Sequence, residues 1–199
     1  MTTVFTLLVI LLSTIIHEIA HGAMAYRLGD PTAKYAGRLT WNPLKHLDPF
    51  GSVILPLMLL VLTNGRGPVF GWAKPVPINP YNFRDRKWGT LKVSLAGPAT
   101  NFLIGVFFAL LDRIFLLPAN LEFFFSLIAI YNFIWAIFNL VPIPPLDGHW
   151  ILFSFLPPRF DSLKTSLLRY GNFILIFFIF FGLNWVYTLA EFLYFLVRG

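Results

Sequence analysis

From Val4 to Tyr26 the sequence is apolar except for His17, Glu18 and His21. As a helix this stretch is long enough to cross a hydrocarbon layer about 30 Å thick. Similar runs follow: Pro49 to Gly65, interrupted by Pro56; Leu91 to Leu111; Phe123 to about Val141; a half-length piece, Trp150 to Leu156; and Asn172 to Val197. Only 12% of the 199 residues are charged and 57% are hydrophobic, 23 of them Phe. A soluble domain carries about 25% charged residues, so too little polar surface remains here to cover a globule in water. The expected fold is therefore an all-α multi-span membrane protein of five to six transmembrane or half-spanning helices. It forms one domain over 1–199, with a core over about 4–157 and a last span over about 170–197.

The connecting segments carry most of the charge. The formal net charge of +6 is spread between spans, the ordinary pattern of basic membrane loops, and implies no nucleic-acid partner. Lys and Arg are numerous in both 27–45 and 66–92, so the bias does not choose an orientation. With no cysteine, disulfides and cysteine-based metal or redox sites are excluded. No Lys or Arg precedes the first apolar run, and cleavage near Ala23-Met24-Ala25 would discard His17, Glu18 and His21. That run reads as a retained span rather than a signal peptide. Between Gly65 and Lys87 the chain is rich in Pro, Gly and Trp, and the alternation Lys74-Pro75-Val76-Pro77-Ile78 reads as extended. A charged turn is expected around Arg159 to Arg169.

His17-Glu18-Ile19-Ala20-His21 has a physical logic on a helix. Residues four apart share a face, so both imidazoles can reach one zinc ion, and Glu18 beside them can take a proton from water at the metal. Each ionisable group at mid-span costs about 2.5–3.5 kcal/mol on insertion scales. A bound zinc returns about 10–16 kcal/mol, and nothing else in this helix compensates. At 1.5 Å per residue His17 lies about 20 Å along the span, nearer its C-terminal end.

A catalytic zinc wants three protein ligands and an open position. His46, His149, Asp30, Asp48 and Asp147 are candidates for the third. Asp147 is favoured because it follows the break Pro142-Ile143-Pro144-Pro145, which frees backbone and lets a short side chain point inward, with Gly148 next to it. On spacing alone, a solvated Asp-Gly turn remains the alternative.

Taken together, His17-Glu18-x-x-His21 and Asn139-x-x-Pro142-x-Pro144-Pro145-Leu146-Asp147-Gly148 resemble the site-2 protease family of intramembrane zinc metalloproteases. Gly29-Asp30-Pro31, Gly71-Trp72-Ala73-Lys74-Pro75-Val76-Pro77 and Ala96-Gly97-Pro98-x-x-Asn101 are similar as well. The likeness covers about residues 13 to 150 and is to the compact form, without a PDZ or CBS domain. It implies one zinc per chain held by His17, His21 and Asp147, with Glu18 as general base and a membrane-spanning protein as substrate. It also implies a short re-entrant β-hairpin around Gly71 to Ile78 that engages substrate by strand addition, against a stiff polyproline-like connector on the residues alone. Gly71, Lys74, Val76, Asn101 and Asn139 are the candidate substrate-binding residues, although an Asn in a span is as often a contact between helices. Competing functions are a zinc transporter or sensor, for which broken spans with ionisable residues are also suited, and a non-catalytic binder of transmembrane helices.

Overall fold

The computed structural model describes residues 2–64, 73–115 and 117–199. The first helix, α1 (Thr2–Arg27), ends where Gly29 adopts φ +108° and lets the chain fold back, with Asp30 N–H donating to Ala25 O at 2.9 Å. A single turn, α2 (Thr32–Tyr35), follows. Asp48 then caps the next helical stretch by accepting from Phe50 and Gly51 N–H. That stretch opens as a wide π-type turn over Pro49–Ile54 and tightens into α3 (Leu55–Leu62). Pro56 falls in the first turn of α3, just after the π-type turn passes into it.

Three longer helices complete the bundle. Asp85 caps α4 (Arg86–Ile114), which carries Pro98 in its interior. α5 (Ala119–Leu140) leads to the proline-rich break, with a cis bond between Pro144 and Pro145. Asp147 is the first residue of the short α6 (Asp147–Phe155), and α7 (Asp161–Arg198) runs back along the bundle. α1, α4, α5 and the helix ending at Arg198 are long and apolar enough to cross a membrane. Pro49–Leu62 and α6 are shorter.

α4 is the central element and packs against α1, α5, α6 and α7. Small residues allow the close approach: a Cβ on Gly105 would stand 2.8 Å from the Phe133 ring, and Ala109, Ala129 and Ala190 surround that ring with no exposure. At the end of the bundle where α4 and α7 stop, Arg198 pairs with Asp112 (Nε–Oδ2 3.2 Å) and with Glu122, while Tyr194 donates to Asp112. The outer face of α7 is bare and aromatic, with Phe173, Phe177, Phe180 and Trp185 each well exposed.

Two expectations need correction. No β-hairpin forms among the described residues; the extended stretch after Trp72 makes one isolated antiparallel bridge, Leu47 with Ala73. Pro75 and Pro77 have no N–H to give a ladder. The Lys74 N–H makes the bond of that bridge, to His46 O (2.8 Å), and the one N–H between the prolines, that of Val76, goes to the Glu18 carboxylate (2.7 Å). The charged segment over 159–169 is a turn only as far as Phe160, because α7 begins at Asp161.

Candidate metal centre

Two elements far apart in sequence meet at the centre. α1 presents His17 and His21 one helical turn apart, and the break after α5 delivers Asp147 at the start of α6. Gly148 makes that delivery possible: a Cβ there would collide with the carbonyls of Leu140 and Val141. His17 Nε2 and His21 Nε2 lie 2.9 Å apart, and each is 3.1 Å from Asp147 Oδ2. Both histidines are buried, and Asp147 is largely so. Among the described residues, this trio is the one group of three His, Asp or Glu close enough to share a metal ion.

The far nitrogens of the two imidazoles decide what the near ones can do. His21 Nδ1 lies 2.7 Å from Val93 O, which only accepts, so Nδ1 carries the proton. His17 Nδ1 lies 2.7 Å from Asn101 Oδ1. The Asn101 amide nitrogen donates to Ser13 O (3.1 Å) and Asn132 Oδ1 (2.9 Å), which fixes its oxygen toward His17. His17 therefore also donates from Nδ1. Both Nε2 atoms then carry bare lone pairs, aimed with a carboxylate oxygen at one small volume. Three acceptors at this spacing repel one another unless a cation lies among them. Tetrahedral zinc with bonds of about 2.0–2.1 Å keeps its ligands about 3.3 Å apart, close to the separations found, and the two-nitrogen, one-oxygen set suits it.

α4 closes the other side. A Cβ on Gly97 would stand 2.5 Å from His21 Nε2 and 2.7 Å from His17 Nε2, so only glycine lets this helix lie against both rings. Glu18 is half-buried, and its Oε2 accepts from Val76 N–H, which brings the 73–79 stretch beside the trio. Arg38 holds the same stretch by donating to Lys74 O at 2.6 Å. Asp30, fully buried, accepts from Asn79 N–H (2.7 Å) and the Asn82 amide (2.8 Å). Burial pushes the Asp30 carboxyl up, but hydrogen bonds from Thr32, Asn79 and Asn82 outweigh it and hold the group below its ordinary value.

The remaining sequence candidates lie elsewhere. The Lys74 side chain is exposed, Asn139 bonds back to Trp135 O in its own helix (2.9 Å), and Gly71 lies outside the described residues. His46 points to Thr40 O (2.8 Å), and His149 stacks on Trp150 and Phe153. Neither His is in the trio. Sequence reasoning did not single out Asn132, although an Asn in the middle of an apolar span was a signal, nor Val93, whose part is played by its backbone oxygen.

The comparisons with known proteins agree with this chemistry. Residues 116–182, which include Asp147, match the model of Peptidase family M50. The chain is 38% identical over 176 residues to YwhC of Bacillus subtilis (strain 168), provisionally named a zinc metalloprotease, covering 84% of this chain and 76% of that one. It is 34% identical over 173 residues to Rip2 of Mycolicibacterium smegmatis, similarly named, covering 83% of this chain and 62% of Rip2. A shorter match, 29% over 93 residues, is to the zinc metalloprotease MJ0392 of Methanocaldococcus jannaschii, covering 46% of this chain and 27% of that one. No solved structure matches. The chain belongs to peptidase family M50, the site-2 protease family: it is a zinc metalloprotease, of a family that works in lipid on membrane proteins.

Proposed function

We propose that the chain is a multi-pass endopeptidase of the cell membrane that hydrolyses peptide bonds within or near the transmembrane segment of another protein. One observation supports this above all. Three metal-seeking atoms, two with their tautomers set by buried partners, meet inside a bundle whose outer faces are apolar.

In this reading His17, His21 and Asp147 hold one zinc ion. When bound, zinc supplies Lewis acidity, which makes water nucleophilic at neutral pH and polarises the amide carbonyl. The protein's own groups do the rest. Glu18 takes the proton from water as its oxygen adds to the carbonyl carbon, then gives that proton to the departing amine as the C–N bond breaks. The Val76 N–H holds the Glu18 carboxylate in position. Asn101 acts through His17, holding its ring from behind, rather than on substrate: its oxygen and its amide are both engaged within the protein.

The 73–79 stretch is the proposed substrate edge, with Gly71 at its approach and Lys74 and Val76 along it. Alternate residues of an extended chain face opposite sides. Lys74 and Val76 turn their N–H groups to the protein, so Pro75 and Pro77 offer outward carbonyls and no donors. Such an edge takes a peptide that is itself extended and brings N–H groups, which means an unwound part of a transmembrane helix. Asn139, bonded to its own helix, is assigned to shaping the break before Asp147.

The test is Glu18→Gln in purified protein, with a reporter anchored by one apolar span as substrate. Zinc content should be unchanged and cleavage lost, a drop of at least about 100-fold for a general base. Cleavage persisting at the wild-type rate would remove Glu18 from this role and bring forward the transport and non-catalytic readings.

A further inference from the structure

Beyond the metal centre, a concavity lies where the start of α4, the end of α6 and the start of α7 meet. It is an open cleft of about 620 Å³ lined by Arg86, Lys87 and Lys164, with the Thr90 and Ser154 hydroxyls among them. Trp150 and Phe155 form much of its apolar wall. Among the described residues, no carboxylate lines it. Lys164 does reach Asp161 (Nζ–Oδ1 2.9 Å), but the Asp161 side chain is 67% exposed, and such a pair is worth little. Arg86 and Lys87 lie over the faces of Tyr81 and Trp88, at 4.5 and 5.0 Å from the ring centres. Three cations thus line one open site, with Asp161 on the solvent side of Lys164 as the one carboxylate among the described residues paired with any of them.

A second, independent observation is the distribution of charge along the bundle. Segments 27–48, 73–92 and 156–169 hold every described Lys and Arg except Arg113 and Arg198. These segments lie at one end of the bundle. Leu28 O accepts from Arg84 N–H, Leu47 bridges Ala73, and Trp88 stacks edge-on against Phe155 at 6.2 Å. The opposite end is marked by Phe5 against Phe124 and by the Arg198 ion pairs. Phe155 is 62% exposed, so the apolar wall of the cleft continues onto the outer face of the bundle.

We propose that this cleft binds the phosphate headgroup of an anionic phospholipid, with the lipid's acyl chains lying along the exposed apolar face beside it. A basic surface with Trp at the edge of spans is suited to that partner. A free anion would leave the apolar wall wet. The site has a consequence for the metal centre: α6 runs from Asp147 to Phe155, so a headgroup in the cleft steadies the far end of the helix that carries a zinc ligand. The inference rests on the membrane location proposed above and not on the hydrolytic mechanism.

The test is lipid titration of the full chain in detergent, read by native mass spectrometry. Phosphatidylglycerol should bind the wild type at about tenfold lower concentration than phosphatidylcholine, equivalent to about 1.4 kcal/mol. The triple variant Arg86→Gln, Lys87→Gln, Lys164→Gln should lose that preference. The triple Lys34→Gln, Lys45→Gln, Arg169→Gln, which removes equal charge outside the cleft, should keep it. If the first triple does not fold, Lys164→Gln alone should weaken the preference about threefold. Equal loss in both triples would overturn the site in favour of diffuse surface charge. Equal binding of the two lipids would overturn it outright. Inorganic phosphate or a soluble acidic peptide binding as tightly as the lipid would overturn the choice of ligand. Recovery in carbonate-washed membranes reports the location separately, so a membrane-embedded chain with no lipid preference counts against the cleft alone.

Discussion

His17 and His21 can act as ligands because of what their far nitrogens touch. Asn101 holds His17 through one hydrogen bond and is itself held by Ser13 O and Asn132, all three side chains buried. Replacing Asn101 by Leu keeps the branched heavy-atom shape, at somewhat larger volume, and removes the acceptor for the His17 proton. Loss of such a partner costs about 10–100-fold in metal affinity, measurable by competition with a chromophoric chelator. Unchanged affinity would mean that His17 is oriented by packing alone. The histidine pair is legible in the sequence as a candidate site, because ionisable side chains in an apolar helix demand compensation. Asn132 and the Val93 carbonyl are not: one is an ordinary polar residue in a span, and the other's part belongs to the backbone, which no side-chain pattern reports.

At the scale of elements, the stretch after Trp72 is held by single bonds from different directions: to His46 O, to Glu18, to Arg38 and, through Asn79, to Asp30. Asp30 gives this attachment a pH dependence. Its carboxyl lies below the ordinary value in the folded protein. It therefore contributes stability that is complete above the unfolded value of about 3.9 and is lost as pH falls through the folded value. The protection of the Asn79 amide, that is its exchange corrected for the intrinsic pH dependence, should fall on acidification below about pH 4. In Asp30→Asn the protection should be lower at neutral pH and unchanged over that range. A wild type whose protection is constant through that window would contradict the assignment. The same stretch shows why the hairpin that the family resemblance implies is not found among the described residues. Alternation with proline signals an extended chain, but the missing donors prevent a ladder. In the segment around Arg159 to Arg169 the charges mark where the apolar layer ends, whereas the helix, which begins at Asp161, extends past that level.

Orientation belongs to the whole molecule. Along the sequence, two basic segments, 27–45 and 66–92, left the charge bias undecided. The fold removes the ambiguity, because Pro49–Leu62 is too short to rank with the four long helices and the loops on either side of it touch each other. The described basic residues of 27–45 and 74–92 then share one end, and on the positive-inside tendency that end is expected to face the cytoplasm. The lack of native cysteine makes this simple to test. A single cysteine at Lys34 should be shielded from an impermeant maleimide in intact cells, and one at Pro118, in the loop at the other end, should label. The reverse pattern would invert the topology. That same packing of α1, α4 and α6 is what brings the candidate ligands together, since Asp147 lies 126 positions from His21 and α6 packs against α4.

Metal content of the purified chain, by elemental analysis of the wild type beside His17→Ala and Asp147→Ala, tests the central claim most directly. The trio predicts about one zinc per wild-type chain, lost from both variants. Full zinc occupancy in Asp147→Ala, or none in the wild type, would contradict the three-ligand centre on which the proposed mechanism stands.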